Sequence, residues 1–230
     1  RPFSDEDLTL LASLARQGAV AIENASAADV NRNFFTHASE LLVGLLDVED
    51  ARYKGHSHAV AALTDMMTRR LGLADAERRA LHFAALLHDV GKLRMPEGLL
   101  SSGRLSPQQM EIVRQHPALG VEILRPISVW RALAPAIHAH HERWDGKGYP
   151  RGLAGVEIPL GGRIVAVAEA FEAMARPMPD RPRRSVDEAL AEVEACAGTQ
   201  FDPAIARLFV EEYRANRDRL PAAGAAVVTT

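Results

Sequence analysis

His56, His88, His116 and the adjacent His140 and His141 each stand at helical spacing from a set of apolar residues, and no other feature of the chain constrains its fold so strongly. Val60, Leu63 and Met67 follow His56 by four, seven and eleven residues, and Leu81, Ala84 and Ala85 precede His88 by seven, four and three. His116 follows Ile112 and Val113 by four and three, and His140 and His141 stand in similar relation to Leu133 and Ile137. Residues so spaced share one face of an α-helix, so this pattern predicts separate helices that all aim imidazoles inward. A lone histidine on an apolar face is ordinarily a hydrogen-bonded core residue. A converging set is different, because each buried imidazole left without a partner costs about 1–3 kcal/mol and these costs accumulate. A shared metal is the economical answer. Imidazole and carboxylate donors without cysteine suit iron, manganese, zinc or nickel in a hydrolytic or redox centre. His37, His58, His82 and His138 fall off these patterns and are expected to be surface or ordinary histidines.

Helical periodicity continues along the chain and alternating β-branched runs are nearly absent, which predicts an all-α fold, a helical bundle with the site between its helices. Residues Phe3 to Asn24 are expected to form one amphipathic helix opened by Ser4 and three acidic residues, Asp5, Glu6 and Asp7. A second helix from Asp29 to Glu49 places Phe34, Ala38, Leu41, Leu45 and Val48 at coiled-coil-like intervals, suited either to packing on its own domain or to a homodimer seam. From Tyr53 to Phe209 no linker, repeat or low-complexity stretch intervenes, so we read one domain over 51–220, after a linker helix at 29–50 and a separate N-terminal segment at 1–28. Within it, Gly91 is expected to stop the helix that carries His88, and Ser106-Pro107 to start the helix that carries His116. Residues 221–230 offer little to pack and are expected to fray.

With 27 basic and 30 acidic residues, the chain lacks the charge of a general binder of duplex nucleic acid or of a membrane surface. It has no apolar run of about 18 residues. The single Cys196 cannot form an internal disulfide, which fits a reducing compartment and a cytoplasmic location. A chain beginning at Arg1 is expected to be a piece of a longer protein.

Two motifs give these expectations a family. His88-Asp89-Val90-Gly91-Lys92 resembles the H-D-x-G-K core of HD-domain phosphohydrolases, and the run from His140 through Gly148-Tyr149-Pro150 resembles the H-H-E-x-x-D-G-x-G-Y-P signature of the HD-GYP subfamily. Gly55-His56-Ser57, His116-Pro117, Arg163 through Ala168 and Gly198 through Pro203 extend the likeness over roughly residues 45–210. Phe3 through Asn24 is similar to the closing helix of a GAF sensor domain.

The HD-GYP resemblance implies a bacterial signalling phosphodiesterase that opens cyclic di-GMP to pGpG, with further cleavage to GMP left open, using two divalent ions, iron or manganese first and zinc or nickel as alternatives. It implies that His56, His88, Asp89, His116, His140 and His141 are metal ligands, with Asp89 a bridge and a catalytic residue, and that Lys92 serves catalysis and substrate binding. The family's remaining ligand is an aspartate; Glu169 stands there, and we expect it to ligate despite its extra methylene. Some members hold a third ion through a glutamate four residues before the first histidine, where this chain has Arg52, so two ions are expected. Arg181-Pro182-Arg183-Arg184 resembles the family's substrate-binding segment with changes, making Arg181 and Arg184 candidates for phosphate contact. Gly146, Gly148 and Pro150 suit a tight loop that Trp144 and Tyr149 pin in place, a structural role with room for a protein partner. Two other readings stand beside the leading one: a degenerate domain that binds nucleotide or a partner protein without turnover, and a phosphodiesterase for another cyclic dinucleotide.

Overall fold

The computed structural model describes residues 33–48, 54–100, 105–176 and 184–217, with single helical positions at 16, 17, 23 and 30. The chain divides into two compact units, Arg1–Leu41 and Leu42–Thr230. Among the described residues every regular element is an α- or 3-10 helix, and extended pairing is limited to the isolated bridges Asp145–Ala154 and Ala197–Phe201. The all-α expectation holds. The GAF-like segment and the C-terminal tail fall almost wholly outside the described residues.

The elements are α1 (33–48), α2 (His56–Arg70), α3 (Asp75–Leu86), α4 (Pro107–Val113), α5 (His116–Leu124), α6 (Ala134–Ala139), α7 (Leu160–Ala175), α8 (Val186–Ala195) and α9 (Pro203–Asn216), with a 3-10 turn at Val90–Arg94. Local sequence explains their starts. Ser106 with Gln109, and Ser185 with Glu188, form reciprocal capping boxes at α4 and α8, and the Asp202 carboxylate accepts the N–H groups of Ala204 and Ile205 ahead of Pro203 at α9. In α1, Phe34, Leu41, Leu45 and Val48 are exposed while Val43 is buried. No helix among the described residues is long and apolar enough to cross a membrane.

The apolar α7 is the axis of the domain, packed against α2, α6, α8 and α9. Phe171 on α7 meets Phe209 and Tyr213 of α9 with ring centroids 5.0 and 4.6 Å apart, all three side chains being buried. Burying such rings supplies much of the stabilisation of a core of this size. Against α6, a Cβ at Gly162 would lie 2.8 Å from that of Ala139, so the helices touch through bare backbone. That approach sets Glu169 beside His140 and His141.

Two expectations about helix boundaries need correction. Helix α3 ends at Leu86, before His88, and Gly91 keeps a negative φ inside the following 3-10 turn. Gly91 is required for a different reason: a Cβ there would lie 2.0 Å from the carbonyl oxygen of His116, so its absence lets α5 close on the turn. Likewise Ser106 and Pro107 start α4, which ends at Val113, and His116 opens a new helix with Pro117 at its first turn.

Candidate metal centre

His88, His116 and His140 share one local device. Each follows the end of a helix and its Nδ1–H donates to the carbonyl three residues back: His88 to Ala85 at 2.7 Å, His116 to Val113 at 2.8 Å and His140 to Ile137 at 2.6 Å. The last carbonyls of a helix lack intrahelical partners, so the imidazole satisfies an orphan acceptor while its own tautomer is set. In each case Nε2 is turned into the domain. His56 begins a helix and has no such carbonyl; its Nδ1 is bonded instead to the Glu172 carboxylate.

The inward atoms form two triads. His116, His140 and His141 place ligand atoms within 4.8 Å of one another, and so do His56, His88 and Glu169. Asp89 stands between them, with Oδ2 3.4 Å from His88 Nε2 and Oδ1 3.3 Å from His116 Nε2. Glu169 also reaches across, its Oε1 lying 3.7 Å from His141 Nε2, so the added methylene keeps the carboxylate in the cluster. Lys92 Nζ donates to Asp89 Oδ2 at 2.6 Å. It sits in the 3-10 turn rather than in the last turn of a helix.

The donor set fits a cation on physical grounds. His116 Nε2 and His140 Nε2 face each other at 3.1 Å, yet both rings already carry their proton on Nδ1. Two lone pairs therefore oppose each other between buried rings. Protonation is resisted, because burial lowers the pKa of His116 and carries those of His140 and His141 well below the ordinary histidine value. At His88 burial also opposes charge, but the Asp89 carboxylate outweighs it and raises the pKa to about 9. Burial works against the Asp89 anion too, and Lys92 and His88 overcome it, holding that carboxyl well below its usual range. His88 Nε2 and Asp89 Oδ1 are buried without a hydrogen-bond partner, a costly state that a coordinated ion removes.

The Gly148-Tyr149-Pro150 loop covers one side. Tyr149 stacks on His141 with centroids 4.7 Å apart, and its N–H donates to the His141 carbonyl at 3.1 Å. Buried Glu142 accepts the N–H groups of Arg151 and Leu153 at 2.7 and 3.0 Å, closing the loop from beneath. The Trp144 N–H bonds to the Gln200 carbonyl, and Arg143 chelates Asp145 through Nε and NH2 at 3.0 and 2.8 Å.

Between this loop and α7 lies a cavity of about 370 Å³ whose walls include His140, His141, Glu169, Arg114, Arg143 and Lys147. Its cationic groups were not singled out in the sequence, although Arg114 stands only two residues before His116. Of the two arginines proposed for substrate, Arg184 is spent on Glu192 of α8 at 2.9 Å and does not line the cavity, while Arg181 lies outside the described residues, as does Arg52. Among the histidines set aside, His82 pairs with Asp65 at 3.0 Å and His37 bonds to the Asn33 carbonyl at 2.7 Å. Glu172 and Arg176 were missed, since nothing in their spacing separates them from a surface ion pair.

A helical domain with one triad of three histidines, a second of two histidines and a glutamate, and the aspartate of a His-Asp pair between them defines a class, and a family model described as HD domain matches residues 40–205. The chain belongs to the HD-domain family. A cyclic di-GMP phosphodiesterase of Thermotoga maritima is 35% identical over 78% of this chain and 50% of its own length. A 3'3'-cGAMP-specific phosphodiesterase of Vibrio cholerae is 40% identical over 69% of this chain and 35% of its own. The chain thus spans half or less of these relatives. The crystal structure of a cyclic GMP-AMP-specific phosphodiesterase of V. cholerae superposes with a TM-score of 0.59 at 23% identity, covering 78% of this chain and 49% of that one, which supports the fold.

Proposed function

We propose that this domain hydrolyses a phosphodiester bond of a cyclic dinucleotide, cyclic di-GMP first, at a dinuclear metal centre held by His56, His88, Asp89, His116, His140, His141 and Glu169. The observation that carries this reading is the pair of triads with Asp89 between them, one carboxylate oxygen toward each. Two divalent ions, when bound, supply a water of lowered pKa and an electrophilic clamp on the phosphoryl oxygens. Nitrogen and oxygen donors without thiolate favour iron or manganese, with zinc or nickel as alternatives.

The chain's own residues do the rest. Nδ1 bonds fix the tautomers of His88, His116 and His140, so Nε2 would be free to hold an ion without reorganisation. Tyr149 holds the His141 ring plane by stacking. Lys92 donates to the Asp89 carboxylate from outside the triads, which supports assigning it donation to a phosphate oxygen or protonation of the leaving oxygen. Arg114 and Lys147 line the cavity beside Arg143, whose guanidinium is bound to Asp145, and offer cationic groups to a ligand with two phosphodiester charges. A cytoplasmic site of action fits a single Cys196 without a disulfide partner and a nucleotide messenger. Pairing of two copies along the exposed apolar positions of α1 fits the same signalling role, and sedimentation of the wild type against Leu41→Glu reads it.

The names of the relatives divide between cyclic di-GMP and 3'3'-cGAMP, which motivates a second substrate within the same chemistry. Protein loaded anaerobically with Fe(II) or Mn(II) is incubated with each dinucleotide alone and with both in competition. Linear dinucleotide from cyclic di-GMP is expected. Full metal occupancy with no linear product from either would overturn the enzymatic reading.

A further inference from the structure

His56 is the one histidine of the two triads whose Nδ1 is bonded to a side-chain carboxylate. His88, His116 and His140 lean on their own preceding turns, but His56 is the first residue of α2, after Gly55 at the N-cap, and has no helical carbonyl behind it. Glu172 supplies the missing acceptor from α7, and both side chains are buried, 3% exposed for His56 and 1% for Glu172. The other oxygen of Glu172 accepts Arg176 Nε at 2.7 Å, and Arg176 NH1 donates to the Lys54 carbonyl at 3.0 Å. The contacts close a ring: the His56 side chain to Glu172, Glu172 to Arg176, Arg176 to Lys54, and Lys54 through Gly55 back to His56. The ring thus holds the imidazole and the backbone that bears it from one point on α7.

A buried arginine–glutamate pair is seldom a net source of stability, because desolvating two charges offsets their attraction. Its geometry here serves orientation. The carboxylate fixes Nδ1 as the proton-bearing nitrogen of His56, leaving Nε2 for the triad, and the guanidinium keeps the carboxylate from rotating away. Glu169 lies three residues before Glu172 on the same helix face, so one turn of α7 carries both a triad member and the group that orients another.

We infer that Glu172, locked by Arg176, is a positioning residue that sets the tautomer and ring orientation of His56 for the metal centre. The inference rests on the dinuclear reading of the site and names a residue outside it. Glu172→Gln tests it sharply. Arg176 demands an acceptor, so the oxygen of the introduced amide turns toward the guanidinium and its NH2 faces His56, selecting the wrong tautomer. In Glu172→Gln combined with Arg176→Met the amide is free to turn its oxygen to His56.

Mn(II) binding is measured by calorimetry and elemental analysis on the full chain, with thermal melts as a fold check. The wild type is expected to bind two ions. Glu172→Gln is expected to keep the ion of the His116 triad and to lose about 10- to 100-fold in affinity for the other, and the double variant to recover part of that loss. Two ions bound unchanged by Glu172→Gln, or equal weakening of both with no recovery in the double variant, would overturn the inference and leave the dinuclear reading standing. A wild type that binds fewer than two ions would instead remove that reading.

Discussion

Asp89 is where single-residue chemistry is most exposed to test. Its two oxygens face different triads at 3.4 and 3.3 Å, so Asp89→Ala is expected to lower Mn(II) content at both positions rather than at one, as elemental analysis of the purified variant will read. Lys92 touches the same carboxylate from outside the triads, and Lys92→Ala should retain both ions while kcat falls by roughly 100-fold, a usual scale for a lost general acid or charge clamp. Their adjacency in the His-Asp-x-Gly-Lys run was legible as a motif. That Lys92 spans a 3-10 turn to reach Asp89 was not, because the turn is packed against α5, a distant part of the chain, and does not follow from the five residues themselves. Glu169 shows the converse. Its methylene is absorbed by the position of α7, so a substitution that looked like the weak point still leaves the carboxylate within the cluster.

At the scale of elements, close helix approach decides where the histidines meet. Gly91→Ala would put a methyl group into the His116 carbonyl, 2.0 Å away, and the strain should cost about 1–3 kcal/mol of stability, visible as a lowered melting temperature together with weakened metal binding. The loop after His141 depends on a different balance. The side-chain hydrogen bonds of Arg143 draw the Asp145 pKa down from 3.8 to about 2, so the folded loop favours the anion. Because the folded value lies below the unfolded one, this contribution is complete above about pH 4 and is lost as the pH falls through about 2. The melting temperatures of wild type and Asp145→Asn should therefore differ modestly at pH 5 and converge toward pH 2, with high salt shrinking the gap since the pair is solvated. A capping residue such as Ser106 announces a helix start in the sequence; the close contacts made by Gly91 and Gly162 do not, because a glycine's neighbour across space is written in another part of the chain.

For the whole molecule, charge is distributed against its total. The chain carries a net charge of −3, yet Arg114, Arg143 and Lys147 gather at the cavity beside the metal centre. Arg114→Ala is expected to raise KM for a cyclic dinucleotide by about 10-fold, the worth of one charge-assisted contact, with ion stoichiometry unchanged. A Michaelis constant indifferent to this change would move substrate recognition elsewhere, toward the segment that includes Arg181. By itself the sequence determined the helical class, the inward face of His56 and the His-Asp pairing, because helical periodicity and motif spacing are local properties of neighbouring residues; His88, His116 and His140 follow helix ends, and their Nδ1 bonds there orient them. Only the tertiary structure decided that the histidines divide into two triads with Asp89 between them, that Arg184 turns to Glu192, and that Glu172 and Arg176 brace His56. Those relations join residues as far as 116 positions apart, and such distances are set by how helices pack rather than by what any one of them is made of.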